Sequence, residues 1–178
     1  VNFLVVLFLL VIFLMVAVWL YIARQGDAEF AYLVKERTDF LLSEATDSTA
    51  TFTCQVPFLN KGTQDGTIMD AYTRHLLPQE QYDAAEVSSR LMLERAPRND
   101  GYWEALIVPK TTGGIVIVTV KFTSKQGDIR RDLRDLVDMP IDLVYQVVAR
   151  SEWYIAKTRM LMTAEEIQRA MQLAPAGE

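Results

Sequence analysis

The chain has 178 residues, 51% of them hydrophobic and 23% charged, with one Cys, one His and a net charge of −5. That length suits one ordinary domain rather than two large ones, and the composition excludes disordered, collagen-like and disulfide-stapled classes. The acidic balance argues against a nucleic-acid partner, for which a basic face is expected.

The hydrophobic residues are unevenly placed. Residues Phe3 to Ala23 include no charged residue, no Gly and no Pro. As a helix rising about 1.5 Å per residue, this run spans about 31 Å, close to the ~30 Å hydrocarbon core of a bilayer. It closes on Trp19, Tyr21 and Arg24. Amphipathic rings followed by a first charge are what a membrane–water boundary favours. Residues 1–23 therefore read as a single-pass transmembrane anchor, with the lipid bilayer as its partner. No second apolar run of that length follows. A cleaved secretory signal would need a shorter apolar region, and small residues where Trp19 and Tyr21 stand. A pilin-like start is the other alternative, because the apolar run begins at once. The acidic residue usual near such a start is missing, since position 5 is Val. Beyond the run, Arg24, Lys35 and Arg37 interleave with Asp27, Glu29, Glu36 and Asp39. This mixture orients the span only weakly by the positive-inside bias. An extracytoplasmic domain is expected by analogy with the common plan of short tail, helix and β domain.

Residues 24–50 read as a connector, with a helix running into a first strand near residues 39–43. Residues 51–162 read as a β domain. In 51–58, Phe52, Cys54, Val56 and Phe58 alternate with Thr53, Gln55 and Pro57, the pattern of a half-buried strand. Pro57 cannot donate to a ladder, so an edge strand or a bulge is expected there. Asn60, Gly62 and Gly66 supply turn chemistry. Further strands are expected at 67–77, 87–93, 102–108, 115–122, 141–150 and 153–162. Residues 128–139 carry apolar residues at helical spacing and predict one short helix ending before Pro140. Its charges pair at three and four residues (Asp128 with Arg131, Arg131 with Asp135, Arg134 with Asp138), as on a solvated helix face. Residues 163–178 read as a C-terminal helix and tail, opened by a capping box in which Thr163 and Glu166 satisfy each other's N–H groups. An antiparallel β-sandwich with about seven strands and two short helices is the predicted class.

Three segments, Val56-Pro57-Phe58-Leu59-Asn60-Lys61-Gly62, Gly66-Thr67-Ile68-Met69-Asp70 and Tyr102-Trp103-Glu104-Ala105, resemble the strand–turn–strand layout of immunoglobulin-like and late-embryogenesis-abundant-like sandwich domains. The resemblance implies an Ig-like fold and no activity. The Cys…Trp…Cys pattern of true immunoglobulin domains is absent, and the helix at 128–139 is extra.

Few residues offer chemistry. Cys54 falls on an apolar strand face and reads as a buried thiol. His75 stands alone, and a zinc site takes three or four ligands. There is no G-x-S-x-G elbow and no phosphate loop. Neither a catalytic residue, a metal nor a cofactor is expected. The aromatic pairs are more suggestive. Neighbours on a strand point to opposite faces, so one member of each pair should be exposed. Tyr102, Glu104 and Tyr154 are the candidates for an interaction surface, with Trp103 and Trp153 inside. The expected function is a membrane-anchored, non-enzymatic sandwich that presents a surface to another envelope or membrane protein, as an accessory subunit. The alternatives are a carrier of a lipid or hydrophobic ligand between the sheets and a pilin-like filament subunit.

Overall fold

A computed structural model describes residues 2–98 and 100–173. The apolar run forms helix α1 (Asn2–Arg24), none of whose residues is buried against the rest of the chain. It is long and apolar enough to cross a membrane. Arg24 lies in its last turn, where the helix C-terminus carries partial negative charge. Gly26 ends the helical path with φ +66°, a conformation that costs a residue without a side chain little. A Cβ there would also collide with the Thr63 hydroxyl.

The connector is not helical. It supplies strand β1 (Phe30–Tyr32), a 3₁₀ turn at Val34–Glu36 and strand β2 (Leu41–Ala45). The helix continuing past Gly26 that a pilin-like subunit requires is therefore not formed. After it come β3 (Thr49–Asn60), β4 (Gly66–His75), β5 (Ala85–Leu93), β6 (Leu106–Val108) and β7 (Gly113–Ser124). A single helical turn, α2 (Ile129–Asp132), leads to β8 (Met139–Val148), β9 (Tyr154–Met162) and α3 (Ala164–Leu173). The expected tail at 174–178 lies outside the described residues.

The strands form two antiparallel sheets. One has the order β1-β3-β7-β5, with β2 also paired to β3, and the other runs β6-β4-β8-β9. Their inner faces meet in one core, giving an Ig-like β-sandwich. Phe52, Cys54, Val56 and Phe58 all point inward, as the alternation predicts. Phe52 meets Phe122 edge-on with ring centroids 5.9 Å apart, a favoured aromatic geometry. Ile68, Ile141, Leu143 and Met162 fill the opposing layer with no exposed surface.

Several sequence expectations are corrected. β3 is an inner strand, paired with β7 on one side and with β1 and β2 on the other. Pro57 is tolerated because β1 has ended at Tyr32 and β2 has not begun. The Pro57 carbonyl accepts from Leu33 N at 2.8 Å, so its missing N–H faces that same break in the ladder. The helix expected over 128–139 shrinks to α2 and a 3₁₀ turn at Leu133–Asp135. Pro140 lies inside β8 rather than after a helix. Among the described residues none of the three expected charge pairs forms an ion pair; Asp128 N-caps α2 instead, its Oδ1 accepting from the backbone Arg131 N at 3.0 Å. Asp138 caps α3 instead, accepting from Ala164 N at 2.9 Å.

The capping box is half formed. Thr163 Oγ1 accepts from Glu166 N at 3.2 Å, but the Glu166 carboxylate turns away from Thr163. It accepts from Arg37 Nη1 and Nη2, at 2.7 and 2.9 Å, and from the Phe40 N–H. This nearly buried pair fastens α3 to the connector.

A candidate interaction face beside the N-terminal helix

The exit of α1 is held to one end of the sandwich. Gln25 O accepts from Thr63 Oγ1 at 2.6 Å and from Gln64 Nε2 at 3.1 Å. Asp27 accepts from the backbone N–H groups of Arg150 and Ser151, both at 3.0 Å, and from the Ser151 hydroxyl. The Ser151 hydroxyl bond, partly opposed by desolvation, and the Ala28, Ser151 and Arg150 N–H groups hold the Asp27 carboxyl below its ordinary value. Asn60, wholly buried, organises the same end. Its Oδ1 accepts from Glu29 N and Gly62 N, and its Nδ2 donates to Gln64 O and Val108 O. Asp65 Oδ1 accepts from Lys110 N at 2.9 Å. Three turns, at 61–65, 109–112 and 149–153, are thus gathered around the point where α1 leaves the domain.

The outer face of the β6-β4-β8-β9 sheet rises from this end, and its composition changes along its length. Thr67 lies between Ile107 and Val148 in the strand register. Val147 faces Tyr154, so Trp153 comes next in line beside Val148. Ile155 pairs with Gln146, and Tyr72 with Val144. Met69 sits in a β4 irregularity between Ile68 and Asp70. Ile107, Trp153 and Ile155 are 69%, 61% and 62% exposed, and Met69, Tyr72 and Val148 are exposed as well. Six large apolar side chains on one continuous sheet face form a patch, where scattered single ones would need no explanation.

Farther from α1 the same face turns ionic. Asp142 is covered by Arg159, with Nε–Oδ1 2.7 Å and Nη2–Oδ2 3.1 Å, and by Lys157 at 3.9 Å. Arg159 dominates in holding the Asp142 carboxyl below its usual range, against a desolvation that would raise it. The apolar zone therefore lies on the half of the face nearest α1.

The sequence candidates fare unequally. Trp19, Tyr21 and Arg24 are exposed along the last turns of α1, as an interfacial role needs. Tyr102 and Glu104 are exposed and Trp103 is buried, as expected, although residues 102–105 form no strand. They belong to a connection crossing from the β5 edge to the β6 edge. Trp103 fixes it by donating from Nε1 to Ile68 O at 3.2 Å. Arg98 stacks on Tyr102, 5.1 Å from the ring centroid, and lies 3.8 Å from Glu104. These side chains border an open cleft of about 320 Å³. The Trp153–Tyr154 expectation is reversed. Tyr154 opposes Val147, a core residue with no exposed surface, so the register turns Tyr154 inward. It is half-buried against the core, and Trp153 is the exposed member.

Ile107, Met69, Tyr72, Val148 and Ile155 were not singled out from the sequence. The available signal was apolar residues at adjacent strand positions, as in Leu106-Ile107-Val108, which puts one on each face. Cys54 is buried and its thiol is pushed up to about 12, chiefly by desolvation. Burial lowers the His75 imidazole. Among the described residues, no three His, Cys, Asp or Glu side chains gather as a metal site would require.

No protein-family model and no characterised protein matches the chain. Among solved structures, similarity is at the level of a distant fold. The GAE domain of GGA2p from Saccharomyces cerevisiae is 9% identical, with a TM-score of 0.37, over 77% of this chain and 98% of that domain. A protein from Archaeoglobus fulgidus is 8% identical, with a TM-score of 0.33, over 76% of this chain and 94% of that one.

Proposed function

We propose that this chain is a membrane-anchored, non-enzymatic β-sandwich that presents the outer face of its β6-β4-β8-β9 sheet to a neighbouring membrane protein, as an accessory subunit of an envelope complex. The observation that carries this reading is the apolar zone of that face. Soluble surfaces rarely keep so many large apolar groups together unless something covers them. Its position favours a partner in the same membrane, because the apolar residues lie on the half of the face closest to α1. Restricting both proteins to one bilayer raises the effective concentration at which the two faces meet. The domain is expected on the extracytoplasmic side, with α1 as a single-pass anchor.

The test uses the full chain in its native membrane, with a photo-crosslinking residue at Ile155, at Ile107 or, as a control, at Lys121 on the other sheet. The expected outcome is one membrane-protein adduct from Ile155 and Ile107, absent from Lys121 and lost when Met69 and Val148 are replaced by Lys. Identical adducts from all three positions, or none from Ile155 and Ile107, would refute the reading.

A further inference from the structure

We infer that the three turns gathered around the α1 exit lie in the lipid headgroup layer, with Trp153 as an interfacial anchor and Lys61, Lys110 and Arg150 meeting lipid phosphates. This rests on the reading of α1 as a membrane span and goes beyond the partner proposed for the sheet face above it. Three independent observations support it.

The first is position. Asp27, three residues beyond the last residue of α1, is hydrogen-bonded to Arg150 and Ser151, and Trp153 follows two residues later. The Asp65–Lys110 bond and the Asn60 contacts tie the other two turns to the same point. A span that ends at Arg24 leaves these turns no distance in which to stand clear of the headgroups.

The second is the side chain at the tip. Trp153 stands at the β8–β9 hairpin with most of its side chain exposed. An exposed indole belongs at a boundary that is apolar on one side and wet on the other. The third is charge. Lys61, Lys110 and Arg150 are exposed, one on each turn, and none has an ion-pair partner among the described residues. Of the acidic groups at this end, Asp27 and Asp65 are turned onto backbone N–H groups. Glu29 and Glu152 remain exposed. The cations are thus the charges free to meet phosphate, in a chain whose net charge is negative.

The test follows Trp153 fluorescence in the full chain, reconstituted in phosphatidylcholine vesicles with an anionic phospholipid, using lipids brominated close to the headgroup as quenchers. Trp19 is replaced by Phe so that only Trp103 and Trp153 emit, and Trp103 is enclosed by protein. Trp19→Phe protein should be quenched, and a further Trp153→Phe change should remove most of that quenching. Combined Lys61→Glu, Lys110→Glu and Arg150→Glu changes should also reduce it in the Trp19→Phe background. Equal quenching with and without Trp153 would overturn the inference, and unchanged quenching in the charge-reversed chain would overturn the role of the cations. Alkaline extraction of the same vesicles separates the two levels. A chain that resists extraction while Trp153 stays unquenched refutes only this inference. A chain that washes off refutes the anchor itself.

Discussion

Asn60 is the polar residue on which the end of the sandwich at the α1 exit depends most. It is wholly buried and uses both amide atoms, Oδ1 toward Glu29 and Gly62 and Nδ2 toward Gln64 and Val108. Asn60→Ala should leave buried backbone groups without partners and cost about 2–3 kcal/mol, measurable by denaturant unfolding. The Arg37–Glu166 pair predicts a pH effect with a definite sign. Burial alone would raise the Glu166 carboxyl. The Arg37 bonds with the Phe40 and Thr163 contacts outweigh it, so the folded state holds the group below its ordinary value. A carboxyl lowered in the folded state contributes its stability above its unfolded pKa and loses it as pH falls through the folded one. Glu166→Gln should therefore destabilise by about 3 kcal/mol at neutral pH, and the gap from the unmutated chain should close below the ordinary carboxylate range. A gap that stayed constant into acid would show that the charge is not what matters. The sequence singled out Glu166 correctly but for a local role. Its partners Arg37 and Phe40 lie more than a hundred residues away, and no local pattern joins them.

Among the elements, β3 and β7 show where local pattern suffices. Alternation sorted the inward Phe52, Cys54, Val56 and Phe58 from the outward Thr53, Gln55 and Pro57 without error, because a strand's period of two is a property of its own backbone. Pairing from Thr49 with Thr123 to Leu59 with Gly113 makes this the longest ladder in the fold. The amides that β3 and β7 pair across this ladder should be among the slowest to exchange hydrogen, and those of the exposed β2 among the fastest. Residues 128–139 show the opposite case. Helical spacing was present, yet a helix carried through to Met139 would have pulled that residue, wholly buried in β8, out of its register with Met162. Tertiary pairing outweighed a weak local preference, as it routinely does. The Thr163 hydroxyl caps the first turn of α3. Thr163→Ala should lower stability by about 1 kcal/mol, seen as a small shift in the unfolding midpoint.

At the scale of the whole molecule, the domain has two unlike ends. One is clasped to α1 and surrounded by exposed apolar and cationic side chains; the other carries the Asp142–Arg159 cluster. Function by contact and stability by packing should therefore separate. Ile155→Lys changes an exposed side chain and should alter unfolding free energy by no more than about 0.5 kcal/mol, while removing the photo-adduct expected from Ile107. A large loss of stability would show that Ile155 is structural and would weaken the case for a docking surface.

Two features required nothing beyond neighbouring residues. The length of the apolar run defines α1, and alternating hydrophobicity defines a β-sandwich, since both are periodicities of a short stretch of chain. The apolar sheet face required the fold. Ile107, Thr67, Val148 and Trp153 are far apart in the chain and become neighbours only through strand register. Which member of the Trp153–Tyr154 pair faces outward was likewise decided across the sheet, by the buried Val147 opposite Tyr154. A strand's own sequence sets its period, and its partners set its phase.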